Sequence, residues 1–220
     1  NETIALWSFF FGILLASFIL LLKIEIQKKT FSLISLLIGI LISYQISKIS
    51  PNPINVASLW YIFIAGFFGI SAMILPGVSG AYILLLMGVY QTILRNFRQA
   101  IELIFNFNNE IFTKVTPVLG VFFFGIIIGI KFFSKFLIFL LKKYPKHTMS
   151  FLIGLMIGAL NKVWPWRNNI SENYSDLQML SVLPQNYNGD DPELSKAAGF
   201  AFLGFMVIFG LQKVKSFFEK

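Results

Sequence analysis

No cysteine occurs anywhere in the sequence, and histidine occurs once, at His147. Disulfides and thiolate metal sites are thereby excluded, and a histidine-built metal centre or proton relay lacks its residues. Charge is scarce too: 13% of the 220 residues are Asp, Glu, Lys or Arg, against 56% hydrophobic. A soluble domain carries about 25% charged residues and cannot bury this much apolar side chain, so lipid must solvate much of the surface. A basic arm or stripe is also missing. The formal net charge is +8, but its lysines and arginines sit in short segments between apolar runs. That distribution argues against a nucleic-acid partner and sets membrane orientation instead. Neither a cofactor nor a metal is expected.

What is there are apolar runs. Five uncharged segments lie at about 4–22, 31–46, 115–130, 149–160 and 197–211. A spanning helix needs about 20 residues, so several of these must extend into their flanks. Inside lipid each must be helical to satisfy its own backbone. The first is not a signal peptide, because it lacks a basic n-region and a second apolar run follows it. The chain does not begin with Met and is expected to be truncated. Lys23, Lys28 and Lys29 follow the first run, Lys131, Lys135, Lys142, Lys143 and Lys146 the third, and Lys213, Lys215 and Lys220 the last. These stretches belong on the cytoplasmic side. The loop 161–196, with Glu172, Asp176, Asp190, Asp191 and Glu193, belongs outside. That order requires 58–94 to enter and leave on one side. Parity demands a hairpin.

The turn of this hairpin reads Ile74-Leu75-Pro76-Gly77-Val78-Ser79-Gly80-Ala81. It carries no charge, which fits a re-entrant loop ending inside the bilayer. Two full helices joined at the surface satisfy the same parity. Pro76 ends the first half-helix, Gly77 and Gly80 permit positive φ and close approach, and Ser79 is a good N-cap for a second half-helix over 81–94. Pro76, Gly77, Val78, Ser79, Gly80 and Ala81 are therefore the candidate phosphate- or carboxylate-binding residues. The plainer reading is a Pro/Gly kink used only for packing.

Phe9-Phe10-Phe11-Gly12-Ile13-Leu14-Leu15-Ala16-Ser17 resembles Phe151-Leu152-Ile153-Gly154-Leu155-Met156-Ile157-Gly158-Ala159 at an offset of 142 residues. The two copies cross in opposite directions, as inverted repeats do. At that offset the counterpart of the Pro76 turn falls before Asn1, so a first hairpin is expected to be absent. The fold expected is all-α: one transmembrane domain over 1–220, with the end of a first repeat at 1–57 and a second repeat at 58–220.

Ser71-Ala72-Met73-Ile74-Leu75-Pro76-Gly77-Val78-Ser79-Gly80, followed by Leu84-Leu85-Leu86-Met87-Gly88-Val89-Tyr90, carries a family likeness. So do Gly154-Leu155-Met156-Ile157-Gly158 and Lys162-Val163-Trp164-Pro165-Trp166. Together they resemble the bacterial polyprenyl-phosphate transporter family PopT. The resemblance implies a multi-pass protein of the bacterial cytoplasmic membrane that is not an enzyme. It implies recycling of undecaprenyl phosphate, the lipid carrier of envelope glycan synthesis, from the outer to the cytoplasmic leaflet. It also implies a second Pro-Gly-Val-Ser-Gly element, which this sequence lacks.

Other residues admit two readings. Arg95 and Arg98, placed after the second half-helix, either clamp a lipid phosphate or snorkel at the interface. Lys162, Trp164, Trp166 and Arg167 either form a cationic, aromatic access rim or an ordinary aromatic belt. The spacing of Gly125 with Gly129, and of Gly154 with Gly158, permits close helix packing. Gly77-Val78-Ser79-Gly80 matches intramembrane serine proteases, but that chemistry needs a histidine base, and His147 lies in a lysine-rich stretch. A lipid phosphatase lacks its histidine nucleophile and arginine cluster. Two alternatives to lipid transport stay open: a transporter or channel for a small anion, and a scaffold for envelope enzymes. Homo-oligomerisation is open as well.

Overall fold

The structure is a computed structural model and describes residues 2–27, 31–49, 58–169, 179–188 and 191–218. Lys28, Lys29, Glu172, Asp176, Asp190 and Lys220, used above to orient the chain, lie outside the described residues. Among the described residues eight α-helices follow one another: α1 (Glu2–Gln27), α2 (Leu33–Lys48), α3 (Leu59–Ile74), α4 (Gly80–Leu86), α5 (Tyr90–Phe105), α6 (Asn109–Lys143), α7 (Pro145–Ala159) and α8 (Leu194–Phe218). A two-stranded antiparallel ribbon, β1 (Arg167–Asn169) with β2 (Met179–Ser181), lies between α7 and α8. Three helices, α1, α6 and α8, are long and apolar enough to cross a membrane; α2 and α3 are apolar but shorter.

The chain forms two compact units, one of residues 1–48 with 144–220 and one of 49–143. These units are grouped by packing, whereas the boundary expected after residue 57 divides repeats.

In the first unit, α2 lies against α7 and α1 against α8. Glycine sets both distances. A Cβ on Gly39 would strike the carbonyl of Phe151, and one on Gly154 would strike that of Leu36. In the other pair, a Cβ on Gly204 would strike the carbonyl of Phe9, and one on Gly12 that of Ala201. Phe9 and Gly12 are the residues that match Phe151 and Gly154 in sequence. Contacts between α2 and α7 advance from Ser32–Ser150 through Leu36–Gly154 to Ser43–Gly158, so these helices run parallel. α1 begins where α7 ends: Phe11 meets Trp164 edge to face at 5.4 Å, and Ile4 packs with Trp166 and Ala197. At the opposite end of α7, Ser150 Oγ accepts a hydrogen bond from the Ser32 amide (2.9 Å), and His147 Nδ1 lies 3.0 Å from Ser35 Oγ.

In the second unit, α3 packs along α6 by the same device. Gly66 faces the Phe122 carbonyl and Gly125 that of Phe63, with Gly129 against Phe67 and Ile70. α5 closes this core by burying Ile93 against Ile62 and Phe122, with Phe97 and Leu84 beside them. The spacings at Gly125/Gly129 and Gly154/Gly158 thus serve helix packing in both units.

Two boundaries move relative to the sequence reading. α6 runs for 35 residues rather than over 115–130. Lys131, Lys135, Lys142 and Lys143 continue the helix, since long aliphatic stems suit it and no breaker comes before Pro145. α1 continues past Leu22 to Gln27, which brings the buried Glu25 into a helix whose assigned span held no acid.

Candidate functional site

The hairpin is built within the second unit. α3 ends at Ile74, and the extended backbone of its cap Leu75 (φ −79°, ψ 128°) leaves the helix before Pro76, because proline disfavours helical geometry in the residue ahead of it. Gly77 takes φ 84°, a left-handed value that suits glycine, and the Val78 amide donates back to the Leu75 carbonyl at 3.3 Å. Ser79 is extended, and its Oγ accepts from the Tyr82 amide at 3.4 Å as the N-cap of α4. The chain then folds back on α3. Gly80 is buried, with a Cβ there meeting the Gly69 carbonyl and the Met73 side chain, and Leu84 lies beside Gly69.

The six candidate residues divide by role. Pro76 has no amide hydrogen, and Val78 uses its own within the turn. Among the described residues nothing accepts from the amides of Gly77, Ser79, Gly80 or Ala81. Gly77, Ser79 and Ala81 are exposed, whereas Gly80 is held against α3. The turn thus offers several amide donors and a hydroxyl able to donate, with no charged side chain between Ser58 and Leu94. Unpaired donors of this kind suit an oxyanion.

The second half-helix is not continuous over 81–94. α4 stops at Leu86, Gly88 takes φ 70°, and α5 starts at Tyr90. Tyr61 anchors this second break by donating its hydroxyl hydrogen to the Met87 carbonyl at 3.0 Å. Tyr82 likewise donates to the Ile49 carbonyl at 2.7 Å. Gly88→Ala is expected to cost about 1–2 kcal/mol, the penalty of a left-handed backbone with a side chain. Gly120→Ala, where an added Cβ meets nothing within 4 Å, is the control and should be neutral or slightly stabilising. Thermal unfolding in detergent compares the two.

Arg95 and Arg98 lie within α5 rather than after a half-helix. Both are exposed on one face with Gln91 and Glu102, because α5 is amphipathic and turns Ile93 and Phe97 inward. In the first unit, Lys162 and Arg167 come together with the tryptophans. Arg167 stacks its guanidinium 4.0 Å from the ring centroid of Trp7, a residue the sequence reading did not single out. Trp164 Nε1 donates to the Val182 carbonyl at 2.7 Å and Trp166 Nε1 to that of Pro192 at 2.9 Å. Burial and the nearby Arg167 charge hold the Lys162 ammonium below the usual lysine range, and burial lowers Arg167 from its ordinary value. His147 is engaged with Ser35, a different serine from the one a Gly-x-Ser-Gly hydrolase would use.

Long apolar helices, glycine-mediated packing and an uncharged broken-helix hairpin define an all-α membrane protein. The chain belongs to the undecaprenyl phosphate translocase-like family (VCA0040-like), whose model matches residues 1–179. It is similar to a protein of Vibrio cholerae named polyprenyl-phosphate transporter, with 37% identity over 171 residues, covering 78% of this chain and 51% of that protein. It is also similar to a Staphylococcus aureus protein of the same name, with 31% identity over 169 residues, covering 71% and 57% respectively. The chain therefore spans about half the length of the curated relatives it matches. No solved structure matches it.

Proposed function

We propose that this chain forms part of a transporter, not an enzyme, which carries undecaprenyl phosphate from the outer to the cytoplasmic leaflet for reuse in envelope glycan synthesis. The protein sits as a multi-pass protein in the bacterial cytoplasmic membrane. The observation that carries the reading is the Gly77–Ala81 turn, where the amides of Gly77, Ser79 and Ala81 have no acceptor and belong to exposed residues, beside the Ser79 hydroxyl. These groups would hold the lipid phosphate while the isoprenoid tail stays in the bilayer. α4 is only two turns long, so the donors themselves supply the attraction more than a helix dipole does.

The length of α4 supports a re-entrant hairpin. α4, with 7 residues, spans roughly 10 Å between the Ser79 turn and the Gly88 break, which suits a tip near mid-membrane. Parity supports a hairpin of either kind, re-entrant or fully spanning. α2 and α7 run parallel, and α6 crosses once between them, so α3 to α5 must return to the side they left. The matched glycine contacts of α1 with α8 and of α7 with α2, made by helices of opposite direction, support an inverted repeat.

The test is lipid-phosphate translocation by the full-length protein in proteoliposomes, using farnesyl phosphate. Ser79→Leu covers the exposed amides and is expected to slow translocation about tenfold or more, because a charge-assisted hydrogen-bond set worth about 1.5–3 kcal/mol is lost. Unaltered translocation with Ser79→Leu would remove the turn from the mechanism and favour a scaffold. Equal transport of inorganic phosphate would favour a small-anion pathway.

A further inference from the structure

We infer that the first turns of α2 and α8 wind and unwind in opposition, with Ser150 and Ser8 as their alternate hydrogen-bond acceptors. The inference rests on the inverted-repeat reading and concerns the first unit alone.

The contacts of the two helix pairs in this unit correspond one for one. Moving α7 back by 142 residues and α2 forward by 165 turns the Gly39–Phe151 contact into Gly204–Phe9. The same shifts turn Gly154–Leu36 into Gly12–Ala201. Applied to Ser32 and Ser150, they give Ala197 and Ser8. There the likeness stops. The Ser32 amide donates to Ser150 Oγ at 2.9 Å, whereas the Ala197 amide donates to the Glu193 carbonyl at 2.9 Å. Ser8 is fully buried, and among the described residues its hydroxyl has no partner.

The helix starts account for the difference. α8 is helical from Leu194, so Lys196 and Ala197 lie inside its first turn. Phe31 and Ser32 hold the corresponding positions, and both precede the start of α2 at Leu33. One pair thus has its first turn wound and its serine idle. The other has the turn open and its serine bonded.

Two features mark the wound turn as the one that can let go. A buried hydroxyl without a partner costs free energy. Ser17, Ser47 and Ser71 each donate to the carbonyl four residues back, and Ser8 does not. Glu193, at the head of α8, holds φ 41°, a left-handed value that a side chain disfavours. Unwinding 194–196 would relax Glu193 and free the Ala197 amide to reach Ser8. Winding the start of α2 would release Ser150 in the same way. The two places lie at opposite ends of the unit, because α1 begins where α7 ends. Inverted repeats pass between states by exchanging the conformations of their halves, so the two turns alternate.

The test reads amide hydrogen exchange in the full-length protein in detergent, with no lipid substrate present. Unwinding takes the helical acceptors from the amides of 198–200, so their exchange reports the unwound population. Ser8→Ala removes the acceptor of that state and should slow this exchange about fivefold, the worth of one neutral hydrogen bond. Ser150→Ala removes the acceptor of the present state and should speed it about fivefold, from the opposite end of the unit. The double variant should return to the native rate. Ser17→Ala loses only a bond within α1 and should change nothing. A native exchange rate at 198–200 in Ser150→Ala would overturn the coupling. So would a native or faster rate in Ser8→Ala, the result expected of a serine that only packs. Should Ser8→Ala fail to fold, Ser8→Cys replaces it, since a thiol is a weak acceptor of similar shape. Cancelling shifts in a protein that carries no lipid phosphate would keep this pairing and remove only the transport reading.

Discussion

Gly154→Leu is expected to destabilise the first unit by about 3 kcal/mol or more, seen as a lower unfolding temperature in detergent. The carbonyl of Leu36 occupies the space that the new Cβ would need, and the backbone of Gly39 lies beside it. Backbone cannot move aside as a flexible side-chain tip can, so α2 and α7 would have to separate along their length. The Gly39 contact with Phe151 and the Ser32–Ser150 hydrogen bond would be lost with it. Gly199 and Gly210 meet nothing within 4 Å, so leucine at either should be tolerated. A Gly154→Leu shift no larger than theirs would show that the helix interface yields.

The second large effect belongs to Gly80→Leu, which should reduce translocation by the full-length protein about a hundredfold, equivalent to ~2.7 kcal/mol. An added side chain there runs into the Gly69 carbonyl and Met73 and prises α4 from α3. The turn then loses the frame that holds its amides side by side. Ser79→Leu acts differently, since Ser79 is exposed. It should lose only the cap to Tyr82, about 1 kcal/mol of stability, while blocking the donors. Measuring unfolding temperature and translocation for both separates the two causes. Native-rate translocation by Gly80→Leu would show that the α3–α4 contact does not shape the proposed binding turn.

Much of this arrangement could be read from the residues. Continuous apolar runs announced α1, α2, α6, α7 and α8, because in lipid the backbone has no other partner than itself. Pro76, Gly77 and Ser79 announced the first break, and each takes the conformation its chemistry favours. The second break was hidden. Gly88 sits in an apolar stretch with no proline, and its positive φ is tied to Tyr61, which bonds the Met87 carbonyl from 26 positions away. α5 was hidden for another reason: its polar face interrupts the apolar count, so Arg95 and Arg98 read as a tail when they are helix surface. Trp7 left no local signal, because its meeting with Arg167 depends on α1 lying beside the ribbon.

α1 and α8 lie far apart in the sequence, and each presents a glycine to the other's backbone. During synthesis, at about 5–20 residues per second, α1 must wait on the order of ten seconds before its mate leaves the ribosome. Its notch at Gly12 lacks the Ala201 backbone through that interval. α8 is thus a late-arriving piece of the first unit, and a nascent chain stopped short of it would leave α1 without this mate.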